Sequence, residues 1–335
     1  MDGQAGPTIL YLLGGTILSV AGSASPADSA PLLRAAGVTA DGPDDADVTI
    51  VPRRTVGSQN LTLADITGLA ADIADRHAAG ARAFVVVQGT DTMEETSFLL
   101  SLLVPADAAI VLTGAMRTAD APGAEGPGNL RDALVAARTL PRHLPGTFVC
   151  MAGELHAARF VRKMDAGRVG AFASPGFGPA GTIVTGRLRL SQAPLPAPGP
   201  LSWPAGARIP RVGLLSVTLD ADALHAAAFQ DPAWGGLVVE AMGSGHVPEA
   251  LAAPLAAIAA TRPVLLVSRC PQGDTDPHGT YRGTGTAAHL LASGLIDGGN
   301  LDARKARLLL TVLLAGGGPA AVRPAMAPWA GIGFI

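Results

Sequence analysis

The chain predicts an α/β protein, with a larger N-terminal, mainly parallel sheet flanked by helices and a smaller C-terminal α/β domain. Three observations carry this. Short apolar runs alternate with helical patterns in two series, the usual mark of a parallel sheet covered on both faces. A proline-rich break, Gln192-Ala193-Pro194-Leu195-Pro196-Ala197-Pro198-Gly199-Pro200, separates the series. Across 335 residues, 48% hydrophobic and 15% charged content provides for a large buried core.

Taken in order, the first element is an apolar strand from Thr8 to Leu13, followed by the turn Gly14-Gly15-Thr16-Ile17. Thr8 to Val20 with Ala21-Gly22-Ser23-Ala24 also has the look of a secretory leader. Its charge argues otherwise, because Asp2 is present and no Lys or Arg precedes Arg34. Strands are expected at Ala83–Val87, Ala109–Leu112 and Thr147–Met151, and helices at Leu63–His77, Glu94–Leu103 and Asn129–Thr139. After the break come strands at Arg211–Ser216, Gly236–Glu240 and Val264–Ser268, with helices near Asp220–Gln230, Glu249–Ala260 and Asp302–Leu314. This divides the chain into a larger N-terminal α/β domain (1–190), a proline-rich linker (191–210) and a C-terminal α/β domain (211–335).

Composition excludes several function classes. A net charge of -3 without a basic, aromatic-interleaved stripe gives no electrostatic reason to expect nucleic acid or an anionic membrane. No uninterrupted apolar run is long enough to span a bilayer. The two cysteines, Cys150 and Cys270, are too few for a disulfide framework, which points to a cytoplasmic protein with buried thiols. The seven histidines show no metal-ligand spacing, and neither a Gly-x-Ser-x-Gly elbow nor a phosphate-binding glycine loop occurs. No metal or organic cofactor is expected.

The chemistry-bearing candidates stand at strand ends. In an open α/β sheet, ligands bind beyond the carboxyl ends of the strands, near exposed N–H groups and helix N-termini. Gln88-Gly89-Thr90-Asp91-Thr92 occupies such a place. Thr92-Met93-Glu94-Glu95 also fits a capping box, which by itself needs no catalytic role. Thr16 ends the first strand in a similar way. Lys163 lies in a charged stretch with Arg159, Arg162 and Arg168 that would ordinarily be a solvated surface, and Ser58 and Gln59 are ordinary turn residues.

Gly14-Gly15-Thr16-Ile17, Gln88-Gly89-Thr90-Asp91-Thr92-Met93-Glu94-Glu95-Thr96 and Leu112-Thr113-Gly114-Ala115-Met116-Arg117 resemble the successive signatures of the bacterial-type L-asparaginases. Gly57-Ser58-Gln59, Gly126 to Ala133, Leu155-His156 leading to Lys163, Ser268-Arg269-Cys270-Pro271 and Lys305-Ala306-Arg307 extend the likeness over nearly the whole chain. The resemblance implies an amidohydrolase that converts L-asparagine to L-aspartate and ammonia through a β-acyl-threonine. Thr16 would attack, with Thr90, Lys163 and Asp91 as the supporting triad and Asp91 also holding the substrate α-amino group. Ser58, Gln59, Gly15 and Gly89 would bind substrate, and the Ala115 carbonyl would meet the amide nitrogen. It also implies a homodimer or homotetramer with sites near subunit interfaces.

Two departures stand out. The family has a mobile loop with a tyrosine after Gly-Gly-Thr-Ile, whereas Leu18 to Arg34 contains none. Tyr281, in the Gly-rich segment Gly273–Gly285, is a candidate replacement supplied by a neighbouring subunit. His246 ends Gly243-Ser244-Gly245-His246 where the family usually has asparagine, and would bring pH sensitivity to that contact. Alternatives are a broader glutaminase-asparaginase, another small-amide hydrolase, or a noncatalytic amino-acid-binding protein on this fold. An amidotransferase subunit acting on aminoacylated tRNA fits less well, as there is no basic patch.

Overall fold

The computed structural model describes residues 6–19, 29–38, 48–141, 144, 146–191, 200–276 and 279–329. It divides into two compact units, residues 1–200 and 201–335. Most of the proline-rich break, residues 192–199, lies outside the described residues, as does the leader-like Ala21–Ala24.

In the first unit the elements run β1 (Thr8–Leu12), α1 (Ala30–Ala35), β2 (Val48–Pro52), α2 (Leu63–Ala78), β3 (Ala83–Val87), α3 (Met93–Leu103), β4 (Ala109–Thr113), α4 (Gly126–Thr139), β5 (Gly146–Met151), β6 (Glu154–Ala157), β7 (Arg162–Lys163), β8 (Phe172–Ala173), β9 (Gly181–Val184) and β10 (Arg187–Leu190). The eight-stranded sheet has the order β10-β9-β6-β5-β4-β3-β1-β2. Strands β2, β1, β3, β4 and β5 are parallel, while β6, β9 and β10 extend one edge in antiparallel fashion. β1, β3 and β4 are buried along their whole length, as expected of apolar strands covered on both faces. The apolar character of Thr8–Leu12 is accounted for by this core.

The parallel series leaves β1 toward β2, then returns to lay β3 on the other side of β1. β1 and β3 thus flank the topological switch point, where a crevice opens beyond the strand ends. The antiparallel wing was not expected from sequence: its strands are four residues long and β9 and β10 are partly exposed, so they lack the continuous apolar signal of the central strands.

The second unit contains β11 (Val212–Ser216), α5 (Ala223–Ala227), β12 (Gly236–Ala241), α6 (Glu249–Ala259), β13 (Val264–Ser268), α7 (Ala287–Ala292), β14 (Ile296–Asp297) and α8 (Ala303–Met326), with a parallel sheet in the order β11-β12-β13-β14. The helix expected from Asp220 begins later. Asp220 has φ 64, a left-handed backbone, and Asp222 is the N-cap. Among the described residues α8 alone has the length and apolarity of a membrane span. Its first half is buried against β11, β12 and β13, and Gly318 (φ 70, ψ -177) breaks it ahead of Pro319. Cys150 is buried, but Cys270, expected to be buried, is exposed where the chain leaves β13.

Candidate active site

Two glycines bring the ends of β1 and β3 into contact. Leu13 N–H continues the β1–β3 ladder to the Val87 carbonyl at 2.8 Å, and the chain then turns at Gly14 and Gly15 with φ 96 and 97. A Cβ on Gly15 would lie 2.2 Å from the Gly89 nitrogen and 2.4 Å from its Cα, so this crossing needs glycine for space as well as conformation. Thr16–Leu18 then forms a short 3-10 turn. Ser19 closes it by donating its hydroxyl to the Gly15 carbonyl at 3.0 Å, and Ala119 N–H, from the loop after β4, donates to the Ser19 carbonyl at 3.0 Å.

Beyond β3, the side chain of Thr92 does not cap α3. Its hydroxyl donates to the Ser58 carbonyl at 3.1 Å, and Asp91 N–H donates to Ser58 Oγ, also at 3.1 Å. The capping-box alternative is therefore overturned: Thr92 is used to hold Ser58. Because Ser58 Oγ already accepts from Asp91, its own hydroxyl hydrogen is left to donate elsewhere.

Gly15, Thr16, Ser19, Thr55, Val56, Gly57, Ser58, Gln59, Asn60, Gly89, Thr90 and Asp91 line a cavity of about 550 Å³. Most of the candidates named from sequence thus meet in one place. Lys163 joins them through its side chain: Nζ donates to Thr90 Oγ1 at 2.9 Å and to Asp91 Oδ1 at 2.7 Å. The lysine side chain is 16% exposed and the aspartate 62%, so the pair is too wet to add much to stability, and its geometry bears on chemistry instead. An ammonium on a threonine hydroxyl favours the alkoxide and can exchange a proton with it.

Ala115 is 1% exposed and is not among the cavity's lining residues. Its loop is pinned on both sides. Asn129 Nδ2 donates to the Gly114 carbonyl at 3.0 Å, and Glu125 accepts the N–H groups of Met116 and Arg117.

Tyr11 is unavailable to the site. It is buried within β1 and donates its hydroxyl to Asp72 Oδ2 at 2.5 Å; burial, followed by Asp72, pushes it well above the usual tyrosine range. In the second unit His246 and Tyr281 meet each other, with ring centroids 5.2 Å apart and edge-on. His246 Nδ1 accepts from Ala287 N–H at 3.3 Å, and Tyr281 is 57% exposed.

Sequence reasoning missed Glu94, Ser19, Thr55 and Asn60. A signal for Lys163 was present but unused: of the 24 Lys and Arg side chains, only Lys163 and Lys305 are lysines. Where arginine is the rule, a lysine supplies a compact ammonium in place of a planar guanidinium.

The family model described as Asparaginase, N-terminal matches residues 8–196, and the one described as Glutaminase/Asparaginase C-terminal domain matches residues 211–326. A probable L-asparaginase of Deinococcus radiodurans is 38% identical over 268 residues, covering 77% of this chain and 78% of that protein. L-asparaginase 2 of Escherichia coli is 32% identical over 235 residues, covering 69% and 66%. Among solved structures, a probable cytoplasmic L-asparaginase from Campylobacter jejuni superposes with a TM-score of 0.84 at 27% identity, covering 96% of this chain and 99% of that one. The chain belongs to the asparaginase family.

Proposed function

We propose that this protein hydrolyses L-asparagine to L-aspartate and ammonia. Thr16 attacks the side-chain amide carbon, the amide nitrogen leaves as ammonia, and water then cleaves the β-acyl-threonine ester. Thr90, Lys163 and Asp91 manage the nucleophile's proton, and Asp91 also receives the substrate α-amino group. Ser58 and Gln59 bind the α-carboxylate and α-amino end of the substrate, Gly15 and Gly89 also bind substrate, and the Ala115 carbonyl meets the amide nitrogen. The observation that carries this reading is the contact of Lys163 Nζ with both Thr90 and Asp91 at a switch-point cavity that also holds Thr16.

Ammonia release from L-asparagine tests it. Wild type is expected to turn over, while Thr16→Ala and Thr90→Ala are inert. Binding of asparagine without ammonia release by wild type would instead identify an amino-acid-binding protein. The second reading is a broader glutaminase-asparaginase. One methylene is worth only about 1 to 3 kcal/mol of discrimination. Relative turnover on L-asparagine, L-glutamine and D-asparagine separates the two.

The same reading includes a cytoplasmic location and a homodimer or homotetramer, in which His246 and Tyr281 serve a neighbouring copy's site. The exposure of Tyr281 and its ring contact with His246 support this last element. Full turnover in Tyr281→Phe would remove it, and light scattering reads the oligomeric state.

A further inference from the structure

Lys163 is not held by the sheet that carries Thr16 and Thr90. It sits on the two-residue strand β7, which pairs with β8 in a ribbon separate from the eight-stranded sheet. Met164 N–H donates to the Ala171 carbonyl across that ribbon at 2.7 Å, so on the alternating antiparallel ladder the Lys163 N–H faces outward. Glu94 takes it: a carboxylate oxygen of Glu94 accepts the Lys163 main-chain N–H. Glu94 lies in the first turn of α3 and is 5% exposed. A buried carboxylate is expensive unless hydrogen-bonded, and here one of its bonds goes to the main chain of the lysine. The segment Thr90–Glu94 therefore grips Lys163 at three points: Thr90 and Asp91 at the ammonium, and Glu94 at the backbone.

We propose that Glu94 is a positioning residue, whose carboxylate fixes the main chain of Lys163 so that the ammonium reaches Thr90 and Asp91. The inference deepens the hydrolase reading and rests on it for the role of Lys163, but its first readout needs no turnover. The chain has two lysines, and the second, Lys305 on α8, is 1% exposed and serves as an internal control for loosening of the fold.

The test is acetic anhydride labelling of the native protein, with peptide mass spectrometry reading the two lysines separately. Removing the acceptor in Glu94→Ala is expected to speed acetylation of Lys163 about tenfold, the effect of one lost hydrogen bond to a charged group. Glu94→Gln, which keeps an accepting oxygen, stays near the wild-type rate, and Lys305 remains protected throughout. In turnover, Glu94→Ala loses at least about tenfold in kcat with KM nearly unchanged, as expected for a misplaced catalytic group, and Glu94→Gln recovers most of it. Wild-type labelling of Lys163 in Glu94→Ala overturns the proposal. If Lys305 becomes labelled in Glu94→Ala, the glutamine variant decides: fast labelling of Lys163 there, with Lys305 protected, also overturns it. A wild type that releases no ammonia defeats the hydrolase reading but leaves the labelling result to stand on its own.

Discussion

The hydroxyl of Thr92 donates to the main-chain carbonyl of Ser58, 3.1 Å away, and accepts no N–H from the helix it opens. Together with the Asp91 N–H on Ser58 Oγ, it ties the Ser58 loop to the segment that carries Thr90 and Asp91. Thr92→Val keeps the shape and deletes the donor. KM for L-asparagine is expected to rise about fivefold, the equivalent of one hydrogen bond of about 1 kcal/mol, with kcat little changed. An unchanged KM with lowered thermal stability would mean that the hydroxyl is structural.

Lys163→Arg keeps the charge but replaces a three-donor ammonium with a planar fork. A guanidinium stays protonated at all working pH values, so it cannot exchange a proton with Thr90. The expected loss is about 10²- to 10⁴-fold in kcat, the usual worth of a placed acid or base. Steady-state kinetics with ammonia detection reads this, and a variant within tenfold of wild type would confine Lys163 to an electrostatic role.

These two residues mark where sequence was legible and where it was not. The central strands could be placed because each is a short, fully apolar run leading into a helical pattern, and Thr16 and Thr90 followed as their strand-end hydroxyls. Thr92 was ambiguous because Thr followed three residues later by Glu is locally a good cap. Only the distant Ser58, 34 positions away, diverts its hydroxyl. Glu94 was hidden by the same pattern, since a glutamate in a first helical turn already satisfies the helix dipole. The β7–β8 ribbon is two residues wide and leaves no periodic trace, so the position of Lys163 had to come from resemblance rather than from any strand signal.

Gly15 and Gly68 predict opposite outcomes for one chemical change. In Gly15→Ala the new Cβ would fall 2.2 Å from the Gly89 nitrogen, on backbone that cannot swing aside, at φ 97. A loss of more than about 3 kcal/mol is expected, along with activity, since the β1 and β3 ends must part. Gly68 lies inside α2 with nothing within 4 Å of its would-be Cβ, so Gly68→Ala should gain about 0.5 to 1 kcal/mol. Denaturant melts of the two variants check both signs.

His156 gives the fold a pH-dependent term near the β7–β8 ribbon. Its ring is 1% exposed, with Nδ1 3.0 Å from Ser174 Oγ and Nε2 3.2 Å from Glu154. Burial holds the imidazole below its usual range, although Glu154 pulls the other way. The unfolded chain therefore takes up a proton below about pH 6.5 that the folded chain resists. Stability from this group is complete above that pH and is lost as pH falls, by up to about 1.4 kcal/mol per pH unit. The denaturation midpoint of wild type should fall as the pH drops below about 6.5. His156→Asn, lower in absolute stability because it disturbs the Ser174 contact, should show a flatter profile in that window. Parallel profiles for the two proteins would mean that His156 binds its proton equally well in the folded and unfolded chain, which would overturn the assignment.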